Sequence, residues 1–373
     1  MPRVLVADDQ TDILMALRLL LSDAGFDTDV AASVDGVIDH LARERYDLLL
    51  MDLNYTRDTT SGREGLDLLE RVRVEDGTLP VVVMTGWGSI DTAVEAMRRG
   101  ARSFVQKPWE DTTLLEVVRR EVRDGAAVRK LDASVTREQN EARLIQQALL
   151  PSRMPDLAGC EIAASWTPAS GLGGDCYDVL PFSDTRVAVS IADVVGKGLP
   201  AALLMSNLQA AVRAFAGPEA EPHEVTSSVN RLLCRNIAAG KFVTFCYAVI
   251  DTAGRSVSFA NAGHFPPMLV RRSGETHRLE PTGLVLGVMA DWTYSTGDHR
   301  LEAGDRIVCF TDGITEAGSA NGEEFGEQRL LELVQAHLDA SAHELNTLVS
   351  DAVTAWTGGG PQDDATLITL AVA

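Results

Sequence analysis

The sequence predicts two folded domains of different classes, an α/β domain with a doubly wound parallel sheet and an α+β domain with antiparallel sheets. The first prediction rests on short apolar runs that alternate with helical segments in residues 1–122. The second rests on strand-like segments that follow one another in residues 151–373, with helical segments grouped apart from them. A length of 373 residues agrees with two domains of roughly 150 residues each, plus connections.

Four apolar runs in the first domain are predicted strands, and one segment between them has helical periodicity. The strands are Val4–Ala7, Tyr46–Asp52, Pro80–Thr85 and Ser103–Val105, and the helix is Asp12–Ala24, before Gly25. In doubly wound sheets the chemistry collects at the carboxyl ends of the strands. We therefore expect Asp8, Asp9, Asp52, Thr85 and Lys107 to lie together at that edge.

Residues 123–150 are predicted to form a helical linker, because they are rich in charge and contain one glycine and no proline. Apolar residues recur there at steps of three, four, seven, three and four residues, as at the a and d positions of a heptad repeat. Glu138 occupies the one such position that is not apolar. The apolar residues are Val128, Leu131, Val135, Ala142, Ile145 and Leu149. The pattern favours a two-stranded coiled coil, and hence a homodimer; a single helix that lies on its own domain is the alternative.

The second domain, residues 151–373, is predicted to contain six strands and four helices. The strands are Glu161–Trp166, Arg186–Ile191, Val243–Ile250, Ser256–Ala260, Arg306–Phe310 and Thr366–Val372. The helices are Pro200–Phe215, His223–Ala238, Glu327–Ala340 and His343–Thr357. Pro200 suits the first turn of its helix, where no intrahelical partner is needed for a backbone N–H.

Charge and composition exclude several classes of protein. With 54 acidic and 33 basic residues the net charge is −21, which disfavours binding to nucleic acid, and no dense basic block is present. No apolar run reaches the roughly 18 residues of a membrane span. Asp8 and Asp9 interrupt any signal-peptide core, so a cytoplasmic protein without membrane partners is expected. The five cysteines form no CxxC pair, so neither a zinc site nor a disulfide framework is predicted.

The acids of the first domain predict a magnesium site. Asp8, Asp9 and Asp52 end two neighbouring strands, and crowded carboxylates repel one another unless a hard cation lies among them. A carboxylate beside Mg²⁺ can also act as a nucleophile toward a phosphoryl group. Thr85 offers a hydroxyl and Lys107 a positive charge for phosphoryl oxygens. The Lys107–Pro108 peptide is a candidate for the cis form.

These residues, in this order on these elements, resemble the response-regulator receiver domain across residues 1–122. The resemblance implies that Asp52 accepts the phosphoryl group from an upstream histidine kinase. It implies that Asp8, Asp9 and Asp52, with the backbone carbonyl of Asn54, hold Mg²⁺. Thr85 and Phe104 match the switch pair of that family, and Lys107 matches its lysine. The loop that follows Asp52 is longer than usual and adds Asp58 near the site.

A second group of acids lies beside the predicted strands of the C-terminal half, with glycine neighbours that let the backbone approach a ligand closely. The group comprises Asp175, Asp178, Asp193, Asp312, Asp363 and Asp364. Several carboxylates without a histidine or cysteine cluster favour Mg²⁺ or Mn²⁺. Two such ions can share a carboxylate and activate a water molecule for attack on phosphorus. Any one of these motifs alone would more often be an ordinary turn.

The motifs GGDCYD, DVVGKGLPAALLMS, FVTFCYAVID, ANAGHFPPML, TGLVLG, GDRIVCFTDGITEA and QDDAT follow one another over about 200 residues. Together with the preceding IQQALLPSRMP they resemble the SpoIIE/RsbU-type branch of the metal-dependent PP2C (PPM) serine/threonine phosphatases, across residues 142–373. The resemblance implies a PP2C-like β-sandwich flanked by helices, with two Mn²⁺ or Mg²⁺ ions. Ala192, where glycine is common, is a mild departure.

By this resemblance the metal ligands are Asp175, Asp193, which bridges the two ions, Asp312, and the backbone carbonyl of Val194. In the last motif Asp363 is favoured over Asp364, because DDAT aligns with the DNxT pattern of the wider PPM enzymes. For three further residues two roles stay open. Asp178 orients a metal-bound water or caps a turn; His264 is a general acid or a structural residue; Lys197 contacts substrate phosphate or belongs to a helix entry.

A receiver joined through a helical linker to a phosphatase predicts a switch in which phosphorylation of Asp52 changes the phosphatase. The resemblance implies the substrate: a phosphoserine or phosphothreonine on a STAS-domain antagonist of an anti-sigma factor, in partner switching. The competing hypothesis is a non-catalytic scaffold that binds an anti-sigma or STAS partner. A DNA-binding response regulator is disfavoured, because the sequence shows no helix-turn-helix or basic face.

Overall fold

The computed structural model describes residues 1–55, 63–86, 90–169, 171–238, 240–360 and 362–373. The chain forms two compact units, residues 1–137 and residues 138–373. None of the helices in these residues combines the length and the apolar character needed to cross a membrane.

The first unit is a five-stranded parallel sheet with helices on both faces, as predicted. Its elements are β1 (Arg3–Ala7), α1 (Thr11–Asp23), β2 (Asp27–Ala31), α2 (Val34–Arg43), β3 (Leu48–Asp52), α3 (Arg63–Glu75), β4 (Val81–Thr85), α4 (Ile90–Arg98), β5 (Ser103–Gln106) and α5 (Asp111–Leu149). The strand order is β2-β1-β3-β4-β5. Strand β2 was not predicted from the sequence, because its segment DTDVA lacks a continuous apolar run.

Alternate residues of the central strands build two cores, one on each face of this sheet. On one face Leu5 and Leu49 pack with α2, α3 and α4. On the other face Val4 and Leu48 pack with α1 and the first turns of α5. Because both faces are covered, the strands are apolar throughout, as buried parallel strands require.

Helix α5 is a single helix of 39 residues that includes almost all of the predicted linker. It remains in contact with the first unit well beyond residue 122, since the Arg129 guanidinium lies 3.0 Å from Asp76 and 3.5 Å from Asp47. The predicted domain boundaries at residues 122/123 and 150/151 stay predictions. Four of the apolar heptad residues are exposed along α5: Val128, Leu131, Val135 and Ile145.

The second unit contains two five-stranded antiparallel sheets and flanking helices, as the predicted sandwich requires. Its elements are β6 (Cys160–Thr167), β7 (Cys176–Ser183), β8 (Arg186–Val194), α6 (Leu199–Phe215), α7 (Pro222–Asn236), β9 (Val243–Asp251), β10 (Ser256–Ala262), β11 (Met268–Val270), β12 (Thr276–Arg278), β13 (Gly297–Arg300), β14 (Arg306–Phe310), α8 (Asp312–Thr315), α9 (Gly326–Ala336), α10 (Ala342–Thr357) and β15 (Ala365–Val372).

The sheet orders are β13-β10-β9-β8-β7 and β12-β11-β14-β15-β6. Side chains of both sheets, such as Ile191 and Leu370, meet in one core, on which α6 and α7 also pack. Helices α9 and α10 cover the outer face of the second sheet. The sequence analysis missed β7, β11, β12, β13 and α8, because three- and four-residue elements are too short to show a period and β7 contains Asp178 and Pro181.

Candidate functional site

The first acidic cluster lies at the carboxyl ends of β1 and β3, as predicted. Carboxylate oxygens of Asp8, Asp9 and Asp52 lie within 4.8 Å of one another. Asp8 and Asp52 are buried, and Asp9 is half-buried. Parallel pairing places Ala7 opposite Met51, so Asp8, which follows β1, and Asp52, the last residue of β3, are brought side by side.

Lys107 supplies the positive charge of this cluster. Its ammonium nitrogen lies 2.6 Å from Asp8 Oδ2 and 3.1 Å from Asp52 Oδ2. Burial raises the pKa of the Asp52 carboxyl, Lys107 lowers it, and Asp8 raises it again. One cation among three carboxylates leaves a net negative site, which suits a divalent ion.

The remaining receiver residues lie around the same edge. Thr85 ends β4 and is buried, and its backbone carbonyl accepts a hydrogen bond from the Lys107 N–H at 2.7 Å. Phe104, on the neighbouring strand β5, has half of its surface exposed. The side-chain oxygen of Asn54 is buried without a hydrogen-bond partner among the described residues. The Lys107–Pro108 peptide is cis, as expected, whereas Asp58 lies outside the described residues.

Asp175 is a deeply buried acid of the second unit. Its Oδ2 accepts hydrogen bonds from Thr311 Oγ1 at 2.6 Å and from Thr366 Oγ1 at 2.7 Å. Its Oδ1 is buried and finds no donor among the described residues. Burial and the neighbouring Asp193 raise the pKa of Asp175 well above its usual value. The carboxylate is therefore oriented by two hydroxyls, and no ion pair among the described residues includes it.

Asp193 lies near the end of β8 and faces several other acids. Burial, followed by Asp312, Asp363 and Asp364, raises its pKa to about 7. Asp312 is the first residue of the short helix α8, and burial also raises its pKa. The carboxylates thus repel one another across a shared space, which a cation would relieve.

The two acids of the last motif have different surroundings. Asp363 is partly exposed, and its Oδ2 lies 2.9 Å from the Lys197 ammonium. Asp364 is buried and accepts backbone hydrogen bonds from Ala169 at 2.9 Å and Gly174 at 2.6 Å. The oxygens of Asp364 are therefore engaged in holding a loop, whereas those of Asp363 contact Lys197 and the Asp364 N–H at a more exposed position.

Two glycines permit the close backbone approaches of this site. A Cβ at Gly174 would lie 2.8 Å from the carbonyl oxygen of Val194, and one at Gly313 would lie 2.0 Å from that of Asp364. No larger residue fits at either place without movement of the backbone. The glycines beside Asp175 and Asp312 thus set the spacing between the segments that carry the acids.

Asp178 does not face these acids. It lies in strand β7 rather than in a turn, and the Arg213 guanidinium binds both of its oxygens, at 2.6 and 3.2 Å. Arg213 also donates to the backbone carbonyl of Leu149 at 2.9 Å, as does Gln209 at 2.8 Å. The structure therefore favours a supporting role for Asp178, which holds the arginine that binds the end of α5.

A glutamine near the end of α5 contacts the loop that carries Asp175. Gln146 is buried, and its side chain donates to the Gly173 carbonyl at 2.6 Å and accepts from the Gly173 N–H at 3.1 Å. The sequence analysis missed this contact and the two threonines at Asp175. All three residues lie inside the quoted motifs IQQALLP, CFTDG and QDDAT, but only the fold shows what they touch.

His264 is fully enclosed, and its Nδ1 lies 2.9 Å from Thr244 Oγ1. Burial lowers its pKa to about 4, so the ring is neutral near pH 7. The structure thus favours the structural role for this histidine. Lys197 lies between Gly196 and Gly198, which have positive φ angles, and reaches Asp363.

Among the described residues, only Asp8, Asp9 and Asp52 form a group of three acids as tight as 4.8 Å. The acids of the second unit lie farther apart, because hydroxyls, backbone N–H groups and Lys197 hold them individually. Asp175 and Asp193 are the central pair, and Asp312 and Asp363 lie around them.

Two family models match this chain. The model for the response regulator receiver domain matches residues 4–119, and the model for stage II sporulation protein E (SpoIIE) matches residues 183–373. The chain is 34% identical over 245 residues to the phosphoserine phosphatase RsbU of Bacillus subtilis. This match covers 65% of the chain and 72% of RsbU.

Solved structures support the fold of the second unit. The SiaA-PP2C domain of Pseudomonas aeruginosa superposes with a TM-score of 0.57 at 22% identity, covering 65% of this chain and 99% of that domain. The RsbU and RsbW domains of Rv1364c from Mycobacterium tuberculosis match with a TM-score of 0.50 at 27% identity, over 59% of this chain and 61% of that structure. The PP2C-like sandwich expected from the sequence is thus confirmed.

Replacement of Asp193 by asparagine should stabilise the metal-free protein at high pH. Because the folded-state pKa of Asp193 is about 7, above the usual 3.8, the carboxyl favours folding while protonated, and this stability is lost as pH rises from about 4 to about 7. We expect Asp193→Asn to raise the free energy of unfolding at pH 8 by about 2 kcal/mol in the presence of a chelator. Urea unfolding would measure this.

The gain should shrink as the pH falls towards 5, and the exposed Asp184→Asn should leave stability unchanged at both pH values. An equal gain at pH 5 and pH 8 would show that the repulsion at Asp193 is not the cause.

Replacement of Gln146 by alanine should weaken metal binding. The change leaves the buried N–H and C=O of Gly173 without partners, at a loss of about 1–3 kcal/mol, and loosens the loop that carries Asp175. We expect a several-fold lower Mn²⁺ affinity by calorimetry and a lower urea midpoint. Gln147→Ala is the matched control, because Gln147 is the exposed neighbour. Equal Mn²⁺ affinity in the two variants would refute the positioning role of Gln146.

Proposed function

The chain belongs to the SpoIIE family of PP2C-type (PPM) phosphatases and carries a response-regulator receiver domain, and on this premise we propose what switches it and what it dephosphorylates. Phosphorylation of Asp52 switches the metal-dependent hydrolysis of a phosphoserine or phosphothreonine. The substrate is a STAS-domain antagonist of an anti-sigma factor, which acts in partner switching. The single observation that carries the catalytic part is the pair of neighbouring carboxylates Asp175 and Asp193, whose pKa values are raised by burial and by the acids around them.

The acids of the second unit fit divalent cations. Asp175 presents a buried oxygen without a donor among the described residues, and burial followed by three neighbouring carboxylates raises the pKa of Asp193. Asp175, Asp193, Asp312 and Asp363, with the carbonyl of Val194, would hold two Mn²⁺ or Mg²⁺ ions. Bound ions of this kind supply positive charge to the phosphoryl oxygens and lower the pKa of a water molecule.

The protein's own residues orient this chemistry. Thr311 and Thr366 fix the Asp175 carboxylate, and Asp364 holds the loop before it through the Gly174 N–H. In the hydrolysis, a bond forms between a water oxygen and phosphorus, the bond from phosphorus to the serine oxygen breaks, and that oxygen takes up a proton. Lys197, 2.9 Å from Asp363, offers a cation to the phosphoryl oxygens at the mouth of the site.

The receiver cluster supports phosphorylation of Asp52 by an upstream histidine kinase. The carboxylates of Asp8, Asp9 and Asp52 and the carbonyl of Asn54 would hold one Mg²⁺ ion. An oxygen of Asp52 forms the new bond to phosphorus, while the phosphorus–nitrogen bond of the kinase histidine breaks. Lys107 already contacts Asp52, so its ammonium is in place to bind an oxygen of the transferred group.

The partner class is supported by likeness rather than by a contact in this chain. RsbU of Bacillus subtilis is named as a phosphoserine phosphatase, and in Rv1364c an RsbU domain occurs in the same protein as an RsbW domain. A phosphoprotein of partner switching is therefore the substrate we propose. We also propose that the chain forms a homodimer through α5, which the exposed heptad residues of this helix support.

The substitution Asp193→Ala distinguishes the phosphatase hypothesis from the scaffold hypothesis. We expect wild-type protein with Mn²⁺ to release phosphate from a phosphoserine STAS-domain protein and the variant to lose at least 100-fold of this rate, because one residue is proposed to bridge both ions. Beryllofluoride, a phosphoryl mimic, should change the wild-type rate and leave the rate of Asp52→Ala unchanged. Phosphate release measures both effects.

If wild-type protein binds the STAS-domain partner and releases no phosphate, the scaffold hypothesis is supported instead. If Asp193→Ala retains the wild-type rate, the assignment of the site is wrong. An equal response of wild type and Asp52→Ala to beryllofluoride would contradict the proposed switch.

The dimer is tested by substitutions at two neighbouring aliphatic residues that are equally exposed. Ile145 occupies a heptad seat and Leu144 does not, and both side chains are 66% exposed in the single chain. We expect Ile145→Glu to dissociate the dimer, because a charge would be buried in the seam, and Leu144→Glu to leave it intact. Sedimentation velocity at micromolar concentration measures this. A monomeric wild type, or equal behaviour of the two variants, would contradict the coiled coil.

A further inference from the structure

An apolar groove of about 450 Å³ lies next to the acids of the second unit. Its floor is formed by Val194 and Val195, which directly follow Asp193. One wall is the start of α6, with Leu203 and Leu204, and the other is the end of α7 with Ile237. The groove is therefore continuous along the chain with the proposed metal ligands Asp193 and Val194.

Large apolar side chains that water reaches lie in this groove and in the segments next to it. Leu203 lines the groove and is 64% exposed. Leu199 and Phe242, the chain neighbours of the lining residues Pro200 and Lys241, are also exposed, as are Val288 and Met289. The segment with Val288 and Met289 is fixed beside α7, since Asn230 accepts from the Gly287 N–H at 2.9 Å and donates to the Met289 carbonyl at 2.8 Å. Exposed apolar side chains gathered at one place in this way mark an interaction site.

The charge of the groove segments differs from that of the whole chain. Residues 194–213 and 228–242 contain five basic residues and no acidic residue, whereas the chain has 54 acids and 33 bases. The basic residues are Lys197, Arg213, Arg231, Arg235 and Lys241. Within the part of the chain that the structure describes, the exposed Arg231 and Arg235 form no ion pair. The surface thus complements a partner that is apolar and acidic.

We propose that this groove is the docking surface for the phosphoprotein substrate, which inserts an apolar side chain between α6 and α7 and places acidic residues against the basic end of α7. The proposal rests on the proposed function and adds the surface that selects the protein substrate. A protein that presents a phosphoserine to Asp193 must cover the residues beside it, and Val194, Val195 and α6 follow within ten residues. Continuity with the reacting site therefore favours the substrate over a second copy of the chain.

The test compares a protein substrate with a small one. Wild-type protein and Leu203→Glu are assayed on a phosphoserine STAS-domain protein and on p-nitrophenyl phosphate, which is too small to reach the groove from the metal site. We expect the ratio of kcat/KM for the phosphoprotein to kcat/KM for p-nitrophenyl phosphate to fall at least 10-fold in Leu203→Glu. Most of this change should appear in the KM for the phosphoprotein.

Charge is tested in the same way with Arg235→Glu. We expect the same ratio to fall several-fold at low salt and the difference to diminish at 0.5 M salt, because ions screen exposed charges. Arg300→Glu is the matched control: Arg300 is exposed, and pairing of Arg300 with Ser256 and of Ser256 with Asp251 places it at the opposite end of the sheet from Val194. Leu348→Glu on α10, which packs on the other sheet, is the control for the leucine.

Each outcome decides one question. An unchanged ratio in Leu203→Glu and Arg235→Glu, with wild type active on the phosphoprotein, overturns the groove and leaves the proposed function standing. A wild type that hydrolyses p-nitrophenyl phosphate but not the phosphoprotein overturns the proposed substrate and with it the occupant. If Leu203→Glu instead changes the sedimentation coefficient, the groove is an interface between copies and the proposal is wrong. Thermal unfolding of each variant shows that it is folded.

Discussion

Repulsion between buried carboxylates is the constraint on which both sites of this protein depend. Asp175 is buried and Asp193 half-buried in the second unit, and burial together with neighbouring carboxylates raises the pKa of each. Such an arrangement lowers the stability of the fold at neutral pH unless a cation joins it. Hydroxyls and backbone N–H groups hold the acids in place at the ends of the strands. The positions of these side chains therefore favour the binding of a cation.

The repulsion between carboxylates is offset differently in the two units. In the first, Lys107 already lies among Asp8 and Asp52, and the acids are close enough to share one ion. In the second, Lys197 pairs with the outer acid Asp363, and among the described residues no ion pair includes Asp175 or Asp193. One tight cluster with a resident lysine suits transfer to a carboxylate, whereas a wider group of acids suits two ions and a water molecule.

Helix α5 is held at separate places along its length. Arg129 binds Asp76 within the first unit, while Gln146 binds the Gly173 backbone and the Leu149 carbonyl receives Gln209 and Arg213 within the second. Between these places the helix presents exposed apolar residues. A helix whose end is bonded to the loop that carries Asp175 gives the proposed switch a physical route, because a shift of the helix must change those hydrogen bonds.

The sequence by itself determined the classes of both folds, since alternating apolar runs and helices predict a parallel sheet and successive strands predict antiparallel ones. The sequence also predicted the candidate acids of both sites, because the motifs that contain them can be recognised from their order along the chain alone. It missed β2, β7 and the short strands, whose polar or brief segments carry no readable period. Only the tertiary structure decided what each carboxylate oxygen binds: Asp364 is committed to backbone N–H groups and Asp178 to Arg213, while Asp175 retains an oxygen without a donor among the described residues. Those differences arise from contacts between residues up to 195 positions apart, as for Ala169 and Asp364, which no local pattern records.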